Sequence, residues 1–218
     1  SSSDTEVLIK SWHCWGKDAL LKLDGFFAFA IYDHYNERLH LCRDHLGKKP
    51  LYWRHWDGGI AFASRLDAVE ALTQKEQFNK ASVPWLFYLK YIPAPMTASK
   101  NIFKLKPGHH LIQNNNSIAI ERWAKVYGLN PDGIKPCATS AKSLKDNIIT
   151  AVKKRLTSDV PVSTLLSGGL DSTIVTTLAS RFVKLSSFTL GIKSDSNNSQ
   201  FDESAIAEKT ANILGTNH

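Results

Sequence analysis

Cysteine is scarce in this chain of 218 residues: Cys14, Cys42 and Cys137 lie far apart and form no CxxC pair. That scarcity excludes a disulfide framework, offers no zinc-binding spacing, and fits a reducing, cytoplasmic setting. Long apolar runs are also missing. The longest, at 26–32 and 160–166, fall far short of the roughly 20 residues that span a bilayer, so no membrane partner is expected. The opening residues lack the basic-then-apolar layout of a secretory leader, and with no initiating Met the N-terminus reads as cut. Nor is there a long basic run. The net charge is +7, but the lysines come as scattered pairs such as Lys48 with Lys49 and Lys153 with Lys154. This pattern argues against a nucleic-acid partner and suits a solvated surface that tolerates a polyanionic nucleotide. Internal repeats are absent, and the single low-complexity segment, 194–200, is too polar to pack and is expected to be mobile.

What is present is an ordinary 43% of hydrophobic residues, enough for one large core or two modest ones. Apolar residues recur at helical intervals over 4–14, after an Asp-Thr start able to cap a helix. Runs at 26–32 and 38–42 predict a hairpin, and those at 51–55 and 60–63, joined by Asp57-Gly58-Gly59, predict another. Together they read as an antiparallel meander flanked by helices. A short helix over 83–89 should end before the prolines at 93 and 95, where a connecting arm begins. One more hairpin is expected at 109–113 and 118–122, around an Asn tract. The Gly- and Pro-rich stretch 127–139 reads as a boundary. Beyond it come a helix near 144–156, a buried strand at 162–166, a helix at 173–183, a strand at 187–192 and a helix at 203–214. Alternating strands and helices predict a parallel α/β sheet.

Between the first of those strands and its helix lies Ser167-Gly168-Gly169-Leu170-Asp171-Ser172. Glycines let the backbone approach a ligand, and a helix N-terminus presents N–H donors and the positive end of its dipole, which suits a pyrophosphate. Ser167 and Ser172 add hydroxyls, and Asp171 can hold Mg²⁺ against phosphate oxygens. The loop lacks the Lys of GxxxxGK[ST], so it is not a Walker loop. The plainer alternative is a tight β-to-α turn with Asp171 or Ser172 as helix cap.

As a whole hexapeptide in that context, SGGLDS resembles the loop of the ATP-pyrophosphatase superfamily. Its flanks resemble glutamine-hydrolysing asparagine synthetases: residues 156–162 ahead of the loop, Asp202-Glu203, and the LGTNH at 214–218. Upstream, RDHLGKKPLY at 43–52, Asp24-Gly25 with FAFA at 27–30, and the segment 91–110 are similar to the same family. Arg43 and Asp44 could also be an exposed pair at a strand end, where such a pair contributes under about 1 kcal/mol.

The resemblance implies two domains: α+β, an incomplete N-terminal-nucleophile glutaminase with antiparallel sheets, over 1–125, then a linker at 126–141, then α/β, the start of an ATP-pyrophosphatase parallel-sheet domain, over 142–218. It implies ATP and Mg²⁺ as cofactors, glutamine, aspartate and ATP as small-molecule partners, and room for a homodimer of the full-length protein. Asp4, within SDTE, is carried over as the residue holding the glutamine α-ammonium, although the same carboxylate could cap the helix. Leu166, Ser167, Gly168, Gly169, Leu170, Asp171, Ser172 and Leu190 are carried over to ATP and pyrophosphate, with Leu166 and Leu190 as adenine-pocket walls or ordinary sheet core. The nucleophilic Cys that leads the family's glutaminase is absent from these residues, and Cys14 in a helix and Cys42 in a strand cannot replace it. The family's later catalytic acid and base residues are not among them either, so no catalytic residue is expected here. The 218 residues alone are therefore expected to be inactive. Related enzymes acting on other carboxylates, and a non-catalytic homologue, are the alternatives.

Overall fold

The computed structural model describes residues 3–56, 59–114, 117–124, 140–191 and 202–218. Most of the expected linker, the expected mobile segment 194–200 and Cys137 lie outside the described residues. The chain divides into two compact units, 1–133 and 134–218.

The first unit opens with α1 (Asp4–Trp15). Its cap is Ser3, whose Oγ accepts from the Glu6 N–H at 3.4 Å, so the expected Asp-Thr cap is shifted by one residue. Strands β1 (Ala28–Asp33) and β2 (Arg38–Arg43) form the first hairpin, β3 (Tyr52–Trp56) and β4 (Gly59–Ala63) the second. After α2 (Leu66–Leu72) and α3 (Val83–Leu89) come β5 (Phe103–Lys104), β6 (His109–Asn114) and β7 (Ser117–Arg122).

These strands do not make the expected meander. They form two antiparallel sheets, β1-β2-β6-β7 and β4-β3-β5. The reason lies in β2, where Leu39 and Leu41 point to one face and His40 and Cys42 to the other, and positions 40–43 are all buried. Leu41, Leu51, Leu105 and Leu111 fill the space between the sheets, while Trp12 of α1 lies over His40 and His110 on the opposite face. Ala61, Val69 and Ile102 build a second cluster where α2 meets the smaller sheet. The layers are thus helix, sheet, sheet, helix. Alternation of apolar residues identifies a strand but does not say which strand it pairs with.

The segment expected to be a connecting arm folds back onto this unit. Asn79 N–H donates to the Ala98 carbonyl at 2.7 Å and Lys104 N–H to that of Pro95 at 2.9 Å. Ile102 is 1% exposed. Helix α3 matches its expected span, and Lys90, at φ 64°, ends it.

In the second unit α4 (Ala141–Lys154) is capped by Ser140, whose Oγ accepts from Ser143 N–H at 3.2 Å. It is followed by β8 (Ser163–Leu165), α5 (Leu170–Ala179), β9 (Ser186–Phe188) and α6 (Ser204–Leu214). β8 and β9 are parallel, with Thr164 opposite Ser187, and a further parallel bridge joins Ser186 to Asn217. Val152, Leu178, Ala179 and Leu185 form one core cluster, and Leu166 with Ala207 and Ala211 another.

Three expectations need correction here. The strand at 162–166 is not buried throughout: Leu166 is 1% exposed but Leu165 is 81% exposed. Helix α5 begins at Leu170 rather than at Thr173, because Gly169 can take the extended N-cap conformation and Leu170 then starts the turn. Strand β9 ends at Phe188, so Leu190 lies past it, while Ile192 is outside the described residues.

Candidate functional site

The loop between β8 and α5 is held by its own serines. Ser172 Oγ accepts from Ser167 N–H at 3.2 Å, stands 3.0 Å from Ser167 Oγ and donates to the Gly169 carbonyl at 3.1 Å. With its single proton on Gly169, Ser172 takes the proton of Ser167 Oγ, and the hydroxyls close a ring across the turn. Gly168 adopts φ 76°, a conformation that side chains with a Cβ rarely take. From the sheet side, Thr189 Oγ1 donates to the Leu166 carbonyl and Leu166 N–H to that of Phe188 at 2.9 Å. The loop is therefore anchored to both parallel strands.

Gly169, as N-cap, makes no side-chain cap bond, so the first-turn N–H groups of α5 are open to an acceptor from outside the chain. Leu170 and Asp171 stand in that first turn and are exposed, while Ser167, Gly168 and Ser172 are half-buried. This donor set suits a phosphate. Asp171 is the carboxylate at the loop. Among the described residues no group of three or more His, Cys, Asp or Glu could cage a metal ion. One carboxylate fits Mg²⁺, which keeps waters and phosphate oxygens in its shell rather than a full set of protein ligands.

The remaining expected residues are placed differently. Leu166 turns its side chain into the α6 contact with Ala207 and Ala211, and Leu190 is 87% exposed. Asp4 is in the first unit, exposed at the first turn of α1, and is not the cap.

The structure brings out two constellations that residue spacing did not. Arg43 and Asp44 are 6% and 1% exposed, not an exposed pair. Arg43 donates to the carbonyls of Lys49 at 2.8 Å, Gly47 at 2.6 Å and Leu105. Asp44 accepts from the N–H groups of Leu46, Lys48 and Lys49 at 3.0 to 3.1 Å. Burial pulls the Arg43 pKa down, opposed by the charge of Asp44. Gly47, at φ 65°, lies where a Cβ would sit 2.8 Å from Pro107. The RDxxG segment is thus a structural knot that fixes the turn after β2. The second constellation is His40 with His110, joined at 2.9 Å beneath Trp12. The signal for it was faint: His40 stands between Leu39 and Leu41, and His110 precedes Leu111 and Ile112.

Sequence comparison places these two units in known classes. The model of the glutamine amidotransferase domain family matches residues 1–124, and that of the asparagine synthase family matches residues 143–218. The first unit is a glutamine amidotransferase domain and the second is of the asparagine synthase type. The chain is 34% identical to a Methanocaldococcus jannaschii protein provisionally named asparagine synthetase (glutamine-hydrolyzing) 2, covering 100% of this chain and 42% of that one. It is 29% identical to asparagine synthetase (glutamine-hydrolyzing) 1 of Bacillus subtilis, over 99% of this chain and 33% of that one. It is 31% identical to asparagine synthetase 3 of the same organism, over 100% and 37%. The chain belongs to the glutamine-hydrolysing asparagine synthetase family, and it spans about a third to two fifths of the length of these relatives.

Proposed function

We propose that the protein carrying this chain makes asparagine from aspartate with ammonia taken from glutamine, using ATP. The observation behind this reading is the SGGLDS turn, with an uncapped helix N-terminus, in a chain whose other unit is a glutamine amidotransferase domain. In this reading Asp4 holds the α-ammonium of glutamine, and its exposure on α1 without a capping duty supports that role.

The open N–H groups of the first turn of α5, from Leu170 onward, hold the ATP phosphates, the serine ring keeps the turn in shape, and Asp171 would hold Mg²⁺ there to neutralise phosphate charge. The side-chain carboxylate of aspartate attacks the α-phosphorus, and the bond to the β-phosphate oxygen breaks. β-Aspartyl-AMP forms and pyrophosphate leaves. Ammonia then attacks the activated carbonyl and AMP departs, giving the amide. Neutralising the charge that grows on the leaving pyrophosphate is the main task of the loop. Leu166 backs the loop as core, while the exposed Leu190 is the better placed of the two leucines to meet an adenine ring. Domain limits of 1–125 and 142–218, and a cytoplasmic setting, belong to the same reading.

Asp171→Asn in the full-length protein tests it. The substitution should abolish aspartate-dependent pyrophosphate release, at least ~100-fold, and leave glutamine hydrolysis intact. Release at the wild-type rate would sink the assignment of the loop.

A further inference from the structure

One side chain of α6 lies against the bare backbone of the loop. A Cβ built on Gly168 would sit 2.6 Å from Ile206 Cγ2, 3.1 Å from Ile206 Cβ and 3.4 Å from Ala207 N. Ile206 therefore occupies the space next to the Gly168 Cα, at the one residue of the loop whose φ is positive. Helix α6 does not float there. Ala207 and Ala211 are 0% exposed and cluster with Leu166, which is 1% exposed and immediately precedes the loop. Ile206 itself is 59% exposed, so truncating it takes little from the core. A β-branched side chain in a helix is stiff at χ1, which makes Ile206 a fixed wall rather than a swinging arm.

We propose that Ile206 is a positioning residue for the ATP-dependent step. It blocks the Gly168 turn from swinging toward α6, and so keeps the loop and the first N–H groups of α5 at the distance from the phosphates that the ring of Ser167 and Ser172 sets up. It does not touch ATP; it acts through Gly168. The inference rests on the reading that residues 167–172 bind the pyrophosphate of ATP. A displacement of about 1 Å in a positioning contact can cost up to ~100-fold in rate, so a loosened loop is readable in kinetics.

The test compares Ile206→Ala, Ile206→Val and Asp171→Asn in the full-length protein, with aspartate-dependent pyrophosphate release against ATP concentration, glutamine hydrolysis, and melting temperature as readouts. Ile206→Ala should raise KM for ATP by about 10-fold, with glutamine hydrolysis and melting temperature unchanged. Ile206→Val keeps the branch at Cβ and should return KM to within about 2-fold of the wild type. An unchanged KM in Ile206→Ala, with release lost in Asp171→Asn, overturns the role of Ile206 while the ATP site stands. So does a KM shift that Ile206→Val fails to rescue and that tracks a fall in melting temperature, which would be a folding effect. Full release in Asp171→Asn removes the ATP site, and the positioning role with it.

Discussion

His40 and His110 show what burial does to single residues. Their rings are stacked with centroids 5.0 Å apart, and they are 9% and 1% exposed. Burial lowers the pKa of both, and that of His110 falls from 6.5 to about 4. Around them Asp33 raises and Arg38 lowers the pKa of His40, while Glu121 raises and His40 and Lys17 lower that of His110. A folded pKa below the unfolded one means that the unfolded chain binds more protons between the two. The neutral pair therefore favours folding fully above pH 6.5, and the advantage is lost as pH falls toward 4. Urea unfolding at pH 7 and pH 4.5 should show this loss, and His110→Gln should flatten the dependence; equal slopes in the two proteins would disprove it. Arg43 and Asp44 obey the same physics with the opposite outcome, since each buried charge is satisfied by backbone groups and stays in the fold as a cross-link.

At the scale of elements, turns and caps decide where helices end. Helix α3 stops because Lys90 takes φ 64°, a left-handed conformation in which a Cβ is strained. Lys90→Gly should stabilise the first unit by up to about 1 kcal/mol, read as a higher urea midpoint, and a lower midpoint would show that the lysine makes a contact worth more than the strain. The same helix, VPWLFYL, buries none of its residues, and Phe87 and Tyr88 are 74% and 83% exposed. Its end was legible from the prolines at 93 and 95, yet its apolar composition gave no hint that it would lie on the surface. Helix α5 errs the other way. Its start was read three residues late, because a helix that opens on glycine carries no side-chain cap to recognise. That missing cap is what leaves the N–H groups at Asp171 open.

Among the described residues each unit has core clusters of its own, the first around Leu41 and Leu111 and the second around Leu178 and Ala179. Leu41→Ala and Leu178→Ala should each cost about 3 kcal/mol, and each should lower a different transition in calorimetry. A single transition lowered equally by both would mean that the units unfold together. Two cores also explain why local motifs were readable while the arrangement of strands was not. Each unit has its own composition and periodicity, but the pairing of β2 with β6, some 70 positions apart at His40 and His110, is set by which faces must be buried.

By itself the sequence determined the kinds of element, the change from antiparallel hairpins to a strand-helix alternation, and the glycine loop with its family. These are local: periodicity, turn residues and a hexapeptide can be read in short windows. Only the tertiary structure decided that the hairpins part into two sheets, that the RDxxG segment is a buried knot, that Leu166 backs the loop while Leu190 stands in solvent, and that Ile206 lies against Gly168. Each of those depends on which surfaces meet across a long stretch of chain, and excluded volume and burial settle it, not the propensity of any single segment.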